Sequence, residues 1–390
     1  MQIKRFPEDF QVEEDIMLPE NQGAYAYYRV EKRGRPTLIV RDEMAAKLKV
    51  TPSALVFPAL KDASAVTVQY ASVRKHGPEE IRGSGFVAQR VQWGPRALRP
   101  RDLRGNRFTM TIRELSQPQA TAMHTELRTL ETQGLPNYFD DQRFGSYSND
   151  GFIGKAILQR DAEQAVRFYL SETMLGDPQS IREFKALVKS HWGQWGYLLH
   201  LAPRPSNYRS VITYLKDHPH EYRKAVNLIQ DRLLSIYLSA YQSWIWNNIL
   251  AHYFDSHFPT SQWVDIIGTT FPLPQPGPAL EKLQQMQIDL PRLTARYDEE
   301  VQKAADAIFE KEGLTLNDFK ARILRRVYLS RGERPAWFTP ADVTVGEPFA
   351  DDTEYGDWAI TVSFTLQSGY YAPLVLKAAA ARIGAEFRAR

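Results

Sequence analysis

The chain has 390 residues, 43% of them hydrophobic, and a formal net charge of +3. That is enough for a sizeable core and two or three domains, while the total charge selects no class of partner. There is no cysteine, which excludes disulfides, thiolate metal sites and a cysteine nucleophile. The charged N-terminus lacks the apolar segment of a signal peptide. The most apolar stretch, 233–253, contains Ser, Gln, Asn and His and reads as a buried helix, not a membrane span. A cytoplasmic protein is expected.

In chain order, 24–34 reads as a strand running into a turn. PTLIVRDEMAAKLKV, which follows, has apolar residues at helical spacing, with Thr37 as its expected N-cap. LVFPALKDASAVTVQY (55–70) reads as two strands around the charged pair Lys61 and Asp62. Strands are also expected at 86–94 and 107–115, joined by a basic loop. In SQPQATAMHTELRTLETQG, Ser116 can cap a helix, Met123, Leu127 and Leu130 share a face, and Gly134 ends it. After Asn149 the pattern turns helical, with helices expected at 153–174, 180–191, 221–253 and 279–313 and a Pro/Gly-rich connection before the last. DWAITVSFTLQSG then alternates again. The reading is an α+β fold: a mixed, largely antiparallel sheet domain split between 1–148 and 327–390, with a mainly helical domain, 149–326, inserted.

Charge is unevenly spread. Residues 71–113 hold ten Arg or Lys against three Asp or Glu, densest in GPRALRPRDLRGNRF. A basic face on a near-neutral protein suits a polyanion, and the plain alternative is a solvated strand and loop. Asp62 beside two apolar strands needs a partner, with Lys4, Lys61 and Arg143 as candidates; it is either a strand-end carboxylate satisfying turn amides or a nucleophile or base in a pocket. GLPNYFDDQRFGS (134–146) offers Asn137, Tyr138, Phe139, Gln142 and Arg143, the amide, rings and cation that a pocket for a planar base requires; a core-packing loop would use the same residues. The eight histidines show no metal-ligand spacing, and no phosphate-binding glycine loop or serine-nucleophile motif is present. WGQWG (192–196) and AYQSWIWNNIL (240–250) read as core helix.

Taken together, KRFPEDFQVEE (4–14), FPALKDASAVTVQ (57–69), LRGNRFTMTIRE (103–114) and GLPNYFDDQRFGS, in this order, resemble the TruD family of pseudouridine synthases. SAYQSWIWNNIL and DWAITVSFTLQSGYYAPLVL extend the resemblance to nearly the whole chain, with 176–320 matching poorly in detail. The resemblance implies a pseudouridine-synthase catalytic domain that isomerises a uridine of RNA to pseudouridine without metal or cofactor. Bacterial members act on tRNA at position thirteen, so RNA, and tRNA in the first place, is the implied partner; a monomer is expected. It implies Asp62 as the catalytic carboxylate, with Lys4 as its cation, and Asn137 and Phe139 beside the flipped base. Lys61, Gln142 and Arg143 are expected to contact substrate, and Arg99, Arg101, Arg104 and Arg107 the RNA backbone. A carboxylate can attack the anomeric carbon, attack the base, or abstract a ribose proton, and the residues leave all three open. The chain departs from the family pattern at Ala59, Asp140, Tyr370, Tyr371, Pro373 and Lys377–Ala378.

Overall fold

The computed structural model describes residues 1–61, 63, 65–74, 77–148, 151–204, 206–275, 277–326, 329–351 and 358–388. They form two compact units, Met1–Leu135 with Phe338–Arg390, and Pro136–Trp337. These breaks fall at 135/136 and 337/338, where the sequence expectation put them at 148/149 and 326/327. The segment from Asn137 to Arg143 therefore belongs to the second unit.

The first unit is built on a sheet of β1 (Phe10–Ile16), β2 (Tyr25–Arg33), β3 (Leu55–Val56), β4 (Val66–Val73), β5 (Glu80–Gly83), β6 (Phe86–Gly94) and β7 (Leu103–Leu115), completed by Ala341–Val345, Phe349–Ala350 and Trp358–Gln367. From one edge the order is Ala341–Val345, Trp358–Gln367, β7, β1, β4, β2, β6, β5. β1 and β4 run parallel; β7 pairs antiparallel with both β1 and Trp358–Gln367, and β2 with β4 and β6. The expected mixed, largely antiparallel sheet completed by a C-terminal strand is what the chain forms. Alternation explains the central strands. Phe108, Met110 and Ile112 are buried, with Phe10 and Phe364 ringing Phe108 at 6.1 and 6.0 Å. Between them Thr109 bonds Ser363 at 2.9 Å and Thr111 bonds Thr361 at 3.2 Å, cross-strand hydroxyl pairs that tie β7 to its neighbour.

Helix α1 (Thr37–Leu48) packs Val40, Met44 and Leu48 on Tyr28, Val30 and Ala88 of the sheet. Its start differs from expectation: Pro36 stands at the N-cap, no side chain caps it, and Thr37 is the first helical residue. Helix α2 (Gln117–Gln133) begins as expected, with Ser116 and Gln119 bonding each other's amides. Gly134, at φ 62°, ends it.

The second unit is mainly helical around the 27-residue helix Asp231–His257, whose Tyr241, Ile245, Trp246, Ile249 and Leu250 are buried. Three expected helices are broken. Within 153–174 the chain turns at Arg160 (φ 66°), and Asp161 caps a new helix, Ala162–Ser171. Within 221–253 there are two helices, Tyr222–Val226 and Asp231–His257. Within 279–313, strand Gln287–Asp289 pairs with Glu333–Pro335 and separates Leu280–Gln285 from Glu299–Glu312. A partner strand remote in sequence overrides local helical spacing there. The connection read as Pro/Gly-rich, 265–278, holds the turn and second strand of a hairpin, Thr260–Ile266 with Thr269–Pro274, turning at Gly268 (φ 76°). Among the described residues no helix is long and apolar enough to cross a membrane.

Candidate functional site

Asp62 lies outside the described residues; the chain that leads into it does not. Leu60 turns its side chain outward, 57% exposed, so the stretch from Ala59 to Lys61 is not anchored by burying it. Polar groups of α1 and β4 do the anchoring. Gln69 of β4 is fully buried. Its Nε2 donates to the Ala59 carbonyl at 3.0 Å, and its Oε1 accepts from the Thr37 hydroxyl at 2.9 Å. The same hydroxyl accepts from the Lys61 amide at 3.2 Å. Thr37 thus serves the loop, not the helix cap.

The Lys61 side chain is fixed as well. Its Nζ lies 3.2 Å from Glu14 Oε1, with the Glu14 side chain fully buried. Glu14 Oε2 accepts from the Tyr70 amide at 2.8 Å. Burial pushes the Glu14 carboxyl above the ordinary glutamate range; the Lys61 ammonium and the Tyr70 amide pull it down without cancelling that effect. A parallel β1–β4 pair brings Glu14 to this place; in the sequence it is one of several acids near the N-terminus and carries no local signal.

Lys4 precedes the turn Pro7–Asp9. It sits in the left-handed region at φ 62°, a strained conformation for a side-chain-bearing residue and one that concentrates at functional positions. Its ammonium lies 4.1 Å from the centre of the Phe10 ring. The turn is held from β7: Arg113 donates to both Asp9 oxygens, at 2.8 to 3.1 Å, and to Asp351 at 2.7 Å. Asp9 in turn accepts from the Phe6 amide at 2.9 Å. Arg113 therefore fixes the backbone that carries Lys4.

The basic run splits in two. Arg96 is taken by a bidentate pair with Asp102, both bonds 2.7 Å. Asp102 also accepts from the Arg99 amide at 2.8 Å, closing the loop. The side chains of Arg99, Arg101, Arg104 and Arg107 are exposed, although an Arg104 nitrogen lies 3.1 Å from the Met17 sulfur.

In the second unit, 137–143 lies against a polar stripe on the long buried helix. Ser239, Ser243 and Asn247 recur every four residues and so share a face. The Asn247 amide clasps Phe139, donating to its carbonyl and accepting from its amide, both at 2.8 Å. Arg143 donates to Ser243 Oγ at 2.9 Å and to the Ser239 carbonyl at 3.4 Å. Asn137 is fully buried; its Nδ2 donates to the Pro335 carbonyl at 3.0 Å, and its Oδ1 accepts from Arg334 at 2.6 Å. Arg334 also donates to the Asn137 carbonyl at 2.8 Å. The Phe139 ring is 7% exposed, with the guanidiniums of Arg334 and Arg143 4.0 and 5.5 Å from its centre and Trp246 edge-on at 5.6 Å. Gln142 is exposed on the turn Asp141–Phe144. Arg334, Ser243 and Asn247 were not named as site residues from sequence, although SAYQSWIWNNIL, which holds the last two, carried part of the resemblance. Among the described residues no cluster of three or more His, Asp and Glu is placed to hold a metal ion.

Comparison with known proteins gives a consistent result. A protein of Methanocaldococcus jannaschii, named probable tRNA pseudouridine synthase D 2, is 29% identical over 97% of this chain and 91% of its own. The tRNA pseudouridine synthase D of Aquifex aeolicus is 26% identical over 97% of each chain. A crystal structure described as a putative tRNA pseudouridine synthase D from Methanosarcina mazei superposes with a TM-score of 0.74 at 21% identity, over 97% of this chain and 92% of that one; it shares the fold. Residues 1–268 match the family described as tRNA pseudouridine synthase D, well over half of the 390 residues. The chain belongs to the TruD family of pseudouridine synthases.

Proposed function

We propose that this protein isomerises a uridine of tRNA to pseudouridine, with Asp62 as the carboxylate that acts on the flipped nucleotide and Lys4 as its cationic partner. The observation that carries this reading is the family match over 1–268, which contains the Lys61–Asp62 pair. The reaction breaks the bond from N1 of uracil to the ribose anomeric carbon and joins C5 to that carbon. The C5 proton is lost and N1 gains one, so the product has the mass of the substrate and no redox partner is required. The uridine must leave its stack for these atoms to be reached. The substrate roles of Lys61, Asn137, Phe139, Gln142 and Arg143, and the phosphate roles of Arg99, Arg101, Arg104 and Arg107, belong to the same proposal. The packing of Asn137 and Phe139 supports a part in shaping the binding surface, and the exposure of Gln142 and the four arginines supports direct contact. The reading takes the split domain, 1–148 with 327–390, as catalytic and 149–326 as inserted. It takes the protein as a cytoplasmic monomer without metal or cofactor.

The test is incubation with tRNA, followed by nucleoside analysis. Mass-silent conversion of one uridine is expected; release of free uracil would indicate a glycosidic hydrolase, and no change with retained binding a non-catalytic RNA-binding protein. Asp62→Asn keeps the side-chain shape and removes its charge. It should abolish conversion while tRNA binding persists, because phosphate contacts dominate affinity. Turnover near the wild-type rate would remove Asp62 from its assigned role.

A further inference from the structure

The bonds around Lys61 link three segments that are far apart in sequence, and they converge on two backbone groups. The Ala59 carbonyl is held by Gln69 and the Lys61 amide by Thr37, while Thr37 and Gln69 hold each other. Both side chains are buried, at 3% and 0% exposure. Turning the Gln69 amide over would set its acceptor against the Ala59 carbonyl and leave that group without a donor; the Thr37 hydroxyl also lies 3.4 Å from the Lys61 carbonyl, with Gln69 Oε1 the nearer acceptor at 2.9 Å. Leu60, between the two held groups, is exposed. The direction of the chain at Lys61 is set by these hydrogen bonds.

We propose that Thr37 and Gln69 are positioning residues for the reaction: they fix the backbone at Ala59 and Lys61 and thereby the course of the chain into Asp62. Glu14 completes the arrangement by pairing with the Lys61 ammonium at 3.2 Å. The inference rests on the reading of Asp62 as the reacting carboxylate. A reacting group must meet its target atom at about 3–3.5 Å, and a displacement of roughly 1 Å costs on the order of 100-fold in rate. A pair that fixes the preceding backbone has that leverage without touching the substrate.

Thr37→Val keeps the shape of the side chain and removes its hydroxyl, Thr37→Ser restores the hydroxyl, and Gln69→Met keeps length without the amide. Single-turnover conversion of tRNA at saturating enzyme, tRNA affinity and the folded fraction by circular dichroism are measured for each, with Asp62→Asn alongside. Thr37→Val and Gln69→Met should each slow conversion by on the order of 100-fold with tRNA affinity unchanged. Thr37→Ser should recover most of the rate. The double variant should be no slower than the slower single one, because the two act as one unit. Conversion within about threefold of wild type in Thr37→Val and Gln69→Met, with Asp62→Asn inactive, would overturn the positioning role and leave the Asp62 reading intact. A rate loss accounted for by unfolded protein would overturn it too. An active Asp62→Asn would remove the reading of the site, and this inference with it.

Discussion

Two sets of arginines, one in each unit, are used in opposite ways. In the first, Arg99, Arg101, Arg104 and Arg107 present exposed side chains along the basic loop and the strand it feeds. In the second, Arg334 is buried and Arg143 half-buried, both over the ring of Phe139 and bonded to its neighbours. An exposed guanidinium keeps its hydration, adds little to stability and remains available to a phosphate. A buried one must place its donors on fixed acceptors, so it organises backbone. The same contrast separates the two candidate segments: a few hydrogen bonds steer 59–61, while 137–143 is locked by amide clasps, rings and guanidiniums.

The largest test of that contrast is Arg334→Met. It leaves the Asn137 carbonyl and Oδ1 without their donor, and the expected loss is about 3–6 kcal/mol, two charge-assisted bonds at roughly 1.5–3 each. Chemical denaturation followed by a signal from the second unit measures it; a loss under about 1 kcal/mol would mean that the buried arginine is not the organiser described here. Next is the exposed set. Changing Arg99, Arg101 and Arg104 together to Gln should leave stability unchanged and flatten the salt dependence of tRNA affinity by about 2 in slope, at about 0.7 per lost single-strand phosphate contact. An unchanged slope returns these residues to ordinary solvated surface.

Glu14→Gln probes a buried charge in the first unit. Burial raises the Glu14 carboxyl despite Lys61, so ionising it costs folding free energy, and the amide can still accept from Tyr70. Gln removes one partner of a buried pair and leaves the Lys61 ammonium, its side chain 11% exposed, without its counter-charge, so a loss of about 3 kcal/mol is expected. A change under about 1 kcal/mol would mean that desolvation already cancels the pair's attraction.

The smallest effect concerns pH. The hydrogen bonds from Arg96, with the Arg99 amide, hold the Asp102 carboxyl below its ordinary 3.8. A depressed carboxylate contributes stability that is fully present above 3.8 and is lost as pH falls through the depressed value. The stability gap between wild type and Asp102→Asn, followed by urea denaturation across a pH series, should stay level down to that point and shrink below it. A gap that narrows already near neutrality would assign the pH dependence to another group.

Sequence alone determined those elements whose signal is local. The strand Phe86–Gly94 falls where alternation put it, and helix α2 begins at the Ser116 cap and ends at Gly134, because periodicity and capping are decided within a few residues. The order of motifs was equally legible, and with it the family. The tertiary structure decided what those residues meet. Thr37 reads as a helix cap because threonine commonly is one, but its hydroxyl is claimed by Gln69 and Lys61 once α1 lies on the sheet. Glu14 is one acid among several until the parallel pairing of β1 and β4 buries it against Lys61. Asn247 and Phe139 are 108 residues apart and Arg334 and Asn137 are 197 apart; no local pattern specifies such partners. A buried polar group must be satisfied, and which group satisfies it is fixed only when the chain has closed around it.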